Sequence, residues 1–84
     1  MRILLVEDDR NVAETVRRTL VSQGWVVEVT GDGVSGLNSA VGSKFDVIVL
    51  DIMLPGLNGY EVVRRMRAAK VWTPVLMLTA KSGE

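Results

Sequence analysis

Three four-residue runs in this chain contain no polar residue: Ile3-Leu4-Leu5-Val6, Val47-Ile48-Val49-Leu50 and Val75-Leu76-Met77-Leu78. A strand with one wet face alternates apolar and polar residues. An unbroken apolar run of strand length, rich in branched side chains, suits a strand buried on both faces, as in a parallel sheet. A fourth run, Trp25-Val26-Val27-Glu28-Val29, is interrupted by Glu28 and predicts a more exposed strand at an edge. The segments between the runs have helical spacing. Val12, Ala13, Val16 and Leu20 mark a first helix, with Arg17 and Arg18 outward and Gly24 as its stop. Val34, Leu37 and Val41 mark a weaker second helix, opened by Asp32 as a cap. Val62, Val63 and Met66 mark a third, with Arg64, Arg65, Arg67 and Lys70 on its wet side. Strand and helix therefore alternate from first strand to fourth. That order predicts an α/β fold: a doubly wound parallel sheet with right-handed crossovers and helices on both faces.

Eighty-four residues make one small domain, and an apolar fraction of 48% is too high for a disordered chain. Ten basic and ten acidic residues cancel, which argues against a nucleic-acid surface within the chain. The absence of cysteine excludes disulfides and thiolate metal sites. The absence of histidine excludes the usual zinc centres and Ser-His-Asp or Cys-His catalysis. Only four apolar residues separate Arg2 from Glu7, Asp8 and Asp9, too few for a signal peptide, and no run has transmembrane length. A cytoplasmic protein without membrane contact is expected. Val75 to Leu78 has the composition of a central strand, yet only six residues follow it. This predicts a domain cut short, whose apolar edge favours self-association through the fourth-strand side.

Glu7-Asp8-Asp9 directly follows the first strand, and Asp51 directly follows the third. Parallel strands point the same way, so both acidic groups leave the sheet at its carboxyl edge, where open α/β sheets bind ligands. If the two strands are neighbours, the carboxylates converge and repel one another. A hard divalent cation relieves that conflict, and Mg²⁺ takes oxygen ligands of this kind. Asp8 and Asp9 could also simply cap the first helix. In Ile52-Met53-Leu54-Pro55-Gly56-Leu57-Asn58-Gly59, Pro55-Gly56 suits the centre of a tight turn, Asn58 suits a helix cap, and Leu54 and Leu57 could cover the core. Thr79-Ala80 ends the fourth strand at the same edge, where a hydroxyl could bond an anion beside Asp51. Gly31-Asp32-Gly33-Val34-Ser35-Gly36 matches the dinucleotide fingerprint G-x-G-x-x-G, with Asp51 twenty residues past Gly31. Asp32 would repel a pyrophosphate there, so small-residue packing of a short helix is the preferred account.

Taken together, Ile3-Leu-Leu-Val-Glu-Asp-Asp9, Asp51-Ile-Met-Leu-Pro-Gly-Leu-Asn-Gly59 and Leu78-Thr-Ala80 resemble the receiver domain of two-component response regulators, over all 84 residues. The Met-Leu-Pro-Gly wording resembles the subfamily joined to a winged-helix DNA-binding domain. The resemblance implies a flavodoxin-like (CheY-like) sheet of order 2-1-3-4, with the family's fifth strand and last two helices missing. It implies that Asp51 accepts a phosphoryl group from a histidine kinase, without the chain being a turnover enzyme. It further implies that Asp8, Asp51 and the backbone carbonyl of Met53 hold Mg²⁺. Glu7 would act through metal-bound water, Asp9 as a helix cap, and Thr79 and Ala80 at the phosphate. The family's phosphate-contacting lysine has no counterpart here, because Lys81 comes too early. DNA would be reached only through an effector domain outside these residues. Two rival readings remain open: an inert or purely associative fragment, and a dinucleotide-binding module.

Overall fold

The computed structural model describes residues 1–78, so Thr79, Ala80 and Lys81 lie outside the described residues. The apolar runs form strands β1 (Arg2–Val6), β3 (Val47–Asp51) and β4 (Val75–Leu78), and the interrupted run forms β2 (Val26–Thr30). The intervening segments form helices α1 (Arg10–Ser22), α2 (Gly33–Gly42) and α3 (Gly59–Ala68). All strand pairs are parallel, in the order β2-β1-β3-β4. The two strands that carry the acidic groups are therefore direct neighbours.

Side-chain alternation divides the core into two layers. Leu4, Val6, Ile48 and Leu50 pack beneath α2 and α3, with Ala40, Phe45, Val62 and Met66. Ile3, Leu5 and Val49 face α1, against Ala13, Val16 and Leu20. Residues 3–6 of β1 and 48–51 of β3 are buried, because helices cover both faces of these central strands. β2 is an edge strand, as Glu28 foretells; the half-buried Glu28 carboxylate accepts a hydrogen bond from Ser39 Oγ on α2 at 2.8 Å.

Each helix starts on a side-chain cap. Asp9 Oδ1 accepts from the amides of Asn11 and Val12, Asp32 Oδ1 from Ser35, and Asn58 Oδ1 from Glu61. The cap of α1 is Asp9, and Asp8 is left free for other work. Gly24, at φ +85, turns the chain after α1. Among the described residues, no helix is long and apolar enough to cross a membrane.

Three sequence expectations need correction. Val34 and Val41 do not line the inner face of α2; they are 54% and 47% exposed. The inner face is Gly33, Gly36 and Ala40, with Leu37 half-buried. α2 lies too close to its neighbours for branched side chains: a Cβ at Gly36 would sit 2.8 Å from the Val6 methyl carbons. Val12 is likewise 42% exposed, because α1 presents Ala13 rather than Val12 to the sheet. Arg67 does not simply point to solvent. Its guanidinium donates to the carbonyls of Val71 and Thr73 and lies over the Trp72 ring, tying α3 to the segment before β4.

Candidate functional site

The α1-facing rows of the sheet are Ile3 and Leu5 on β1, and Val47 and Val49 on β3. Period-two alternation carries them on to Glu7 and Asp51. Glu7 extends the ladder by one residue beyond β1, its amide donating to the Thr30 carbonyl at 3.0 Å. Both carboxylates consequently lie on one face at the carboxyl end of adjacent strands, and both side chains are buried. Asp8 joins them from the β1–α1 connection. One carboxylate oxygen from each of Glu7, Asp8 and Asp51 lies within 4.8 Å of the others. They open into a cleft of about 450 Å³, which Val12, Met53 and Leu78 also line.

Burial chiefly pushes the Glu7 carboxyl above its ordinary value. The nearby Asp51 and Asp8 charges add to that, while the hydrogen bond from the Asp9 amide to Glu7 Oε2 opposes it. Among the described residues, no arginine or lysine bridges these three acids; the four ion pairs involve only Glu14 and Glu61. Clustered oxygen donors with no cationic partner among the described residues fit a hard divalent cation such as Mg²⁺.

The loop after β3 is tied to this cluster at both ends. The Met53 amide donates to Asp51 Oδ1 at 3.3 Å. Among the described residues, no backbone amide donates to the Met53 carbonyl, which leaves that oxygen available. The Ile52 carbonyl accepts from both Leu54 and Gly59, at 3.1 and 2.9 Å. The turn over Pro55-Gly56 is tighter than a four-residue turn: the Leu57 amide donates to the Pro55 carbonyl at 3.0 Å, across Gly56 at φ +78. A three-residue turn of positive φ is strained for any residue with a Cβ, and glycine relieves it. Leu54 is buried and Leu57 packs on the core beneath α2 and α3, so both do cover it.

The structure thus brings Glu7, Asp8, Asp51 and the Met53 backbone together, while Thr79 and Ala80 lie outside the described residues. Two of the three glycines of the dinucleotide-like fingerprint, Gly33 and Gly36, are spent on packing, while a Cβ at Gly31 would meet nothing within 4 Å. A Cβ at Gly33 would be driven into the Leu57 carbonyl oxygen, and one at Gly36 into Val6. Two contacts at the loop escaped sequence reasoning: Gly33 against Leu57, and Gly59, whose Cβ would lie 2.6 Å from the Asp51 carbonyl oxygen. Their only trace in the sequence is glycine at helix starts, a pattern shared with ordinary caps.

A flavodoxin-like α/β sheet with an acidic cleft at its carboxyl edge defines the class. The model of the response regulator receiver domain family matches residues 3–84, and the chain belongs to that family. It is 44% identical over 83 residues to the transcriptional regulatory protein TcrA of Mycobacterium tuberculosis, covering 99% of this chain and 33% of that protein. The chain spans about a third of the length of the curated relatives it matches. Its fold is similar to the receiver domain of a sensor histidine kinase from Pseudomonas aeruginosa, solved with a magnesium ion coordinated in the active-site cleft. There the TM-score is 0.92 at 34% identity, over 99% of this chain and 70% of the other. It is also similar to the response regulator TrrA of Thermotoga maritima in complex with Mg²⁺ and BeF, with TM-score 0.89 at 32% identity, over 96% of this chain and 70% of that one.

Proposed function

We propose that this chain is the phosphoacceptor module of a two-component response regulator, with Asp51 taking a phosphoryl group from a histidine kinase. The observation that carries this reading is the convergence of Glu7, Asp8 and Asp51 at one edge, with Asp51 alone placed between a buried strand and the Met53 loop. An Asp51 carboxylate oxygen attacks phosphorus in line with the bond to the donor imidazole nitrogen. The P–O bond forms, the P–N bond breaks, and the imidazole leaves with the electron pair and takes up a proton. The acyl phosphate stays on the chain, so the domain is a reactant rather than a turnover enzyme.

The chain's own part is positioning. Met53 holds Asp51 through its amide, and burial keeps competing water from most of the carboxylate. Asp8, Asp51 and the Met53 carbonyl would hold Mg²⁺ directly, with Glu7 acting through metal-bound water. The bound ion supplies charge neutralisation for the incoming phosphoryl group. Thr79 and Ala80 are the proposed phosphate-side residues.

A small phosphodonor with Mg²⁺ should give an acid-stable, base-labile adduct on Asp51. Labelling that persists in Asp51→Asn would place the acceptor elsewhere. No labelling of the folded wild-type chain would favour the inert, associative reading. The parent protein, by likeness to the transcriptional regulatory relatives, would act in the cytoplasm and reach DNA through an effector domain. The 84-residue chain is further proposed to self-associate through β4, where Leu76 is 58% exposed and the outer edge has no strand partner among the described residues.

A further inference from the structure

The first turn of α2 and the loop after Asp51 are interlocked. The Gly33 amide is one of the donors that a helix start leaves without an intrahelical acceptor, and it donates to the Pro55 carbonyl at 3.4 Å. The same Pro55 carbonyl accepts from Leu57 across the tight Gly56 turn. Beside it, the Gly33 Cα lies against the Leu57 peptide: an added Cβ would run into the Leu57 carbonyl oxygen and stand 2.7 Å from Leu57 C and Cβ. Two of these are backbone atoms and the third, Cβ, is bonded directly to the backbone, so none can swing aside as the far end of a side chain can. From Leu57 the loop is closed back on the site by the bonds from Leu54 and Gly59 to the Ile52 carbonyl, and by Met53 to Asp51. These bonds join the loop from Asp51 to Gly59 into one connected unit, and α2 abuts it at the Pro55–Leu57 turn.

We propose that Gly33 is a positioning residue for the metal site: by letting α2 seat directly on the Pro55–Leu57 turn, it fixes where the Met53 carbonyl stands relative to Asp8 and Asp51. This rests on the metal reading of the acidic cleft. Gly33 is not among the residues lining that cleft, so its influence runs through the loop. The interlock also gives a function to the second glycine of the fingerprint-like run that packing of a short helix alone does not require. Gly42, on the same helix, meets nothing within 4 Å and has no such role.

Calorimetric titration of the full chain with Mg²⁺ alone tests this. Gly33→Ala must displace the turn, and with it Met53. It should weaken Mg²⁺ binding roughly tenfold, the scale on which groups that orient metal ligands act. Gly42→Ala should leave the affinity as in wild type. Should Gly33→Ala fail to fold, the wild-type amide spectrum decides instead. On Mg²⁺ titration the Gly33 amide signal should shift with the same midpoint as those of Asp8 and Met53, while the Gly42 signal stays in place. Unchanged affinity in folded Gly33→Ala overturns the coupling alone, as does a Gly33 signal that stays still while Asp8 and Met53 shift. A wild-type chain that binds no Mg²⁺ overturns the metal reading, and the positioning role with it.

Discussion

Glu7 is where the acidic cluster stores its conflict. Its carboxyl lies above the ordinary value because of burial first, then the Asp51 and Asp8 charges. A carboxyl raised in the folded state binds protons more tightly there than in the unfolded chain, so it favours folding while protonated. Without metal, its contribution is therefore lost as pH rises from about the ordinary carboxyl value of 4.5 through the raised folded value. Glu14 and Glu61 act in the opposite sense. Their arginine partners lower both to about 2, so their contribution is lost as pH falls from 4.5 towards that value. All four of these ion pairs are at the surface, where screening keeps such effects small. Metal-free stability should thus peak on the mildly acidic side. Glu7→Gln in EDTA at pH 7 should raise the melting temperature by about 2–5 °C and flatten the decline above the peak. A variant that melts lower than wild type under those conditions would show that the ionised Glu7 is stabilising.

The elements differ in how completely their neighbours satisfy them. β1 is paired on both sides and covered on both faces. β4 pairs only with β3 among the described residues, and its Leu76 follows Val49 onto the α1-facing side, where it stays exposed. Burial of such a side chain contributes about 1.5–3 kcal/mol, and a strand edge presents unpaired donors and acceptors to any second strand. Self-association through β4 should give a sedimentation profile that depends on concentration. Leu76→Lys should shift it towards monomer, because the ammonium would have to be desolvated at the shared surface. A monodisperse monomer at high micromolar concentration, with a cooperative melt, would rule the association out. The helices were easier to locate than to orient. The caps Asp9, Asp32 and Asn58 were legible because a short polar side chain before an apolar period has a local hydrogen-bonding cause. The inner face of α2 was not. Val34, Leu37 and Val41 formed the apolar stripe, but close approach of α2 to Val6 and Leu57 admits only Gly33, Gly36 and Ala40.

At the scale of the molecule, folding and metal binding are linked, because the three carboxylates come from two strands and one connection that meet only in the folded state. A ligand that binds only the folded chain adds about 2.7 kcal/mol at a hundred times its dissociation constant. Millimolar Mg²⁺ should therefore raise the melting temperature of wild type, and raise that of Asp8→Asn much less. An equal rise in both would remove Asp8 from the site. Trp25 and Trp72 immediately precede or lie shortly before β2 and β4, at the opposite edge of a parallel sheet from the carboxylates, so melts and calorimetry are better readouts than tryptophan fluorescence. The sequence by itself determined the alternation of strand and helix, the parallel sheet, the exposed character of β2 and the exit of Glu7, Asp8 and Asp51 at the carboxyl edge. All of these follow from local periodicity and from chain direction. Local periodicity left open whether β1 and β3 are neighbours; the family resemblance implied it, as it implied the Asp9 cap, and the structure bears both out. Only the tertiary structure decided that Val34 and Val41 face outward and that Gly33 seats α2 against the Asp51 loop. Those facts depend on distances between segments far apart in the chain. No residue's own preference encodes such a distance; it emerges when the whole core closes to packing density.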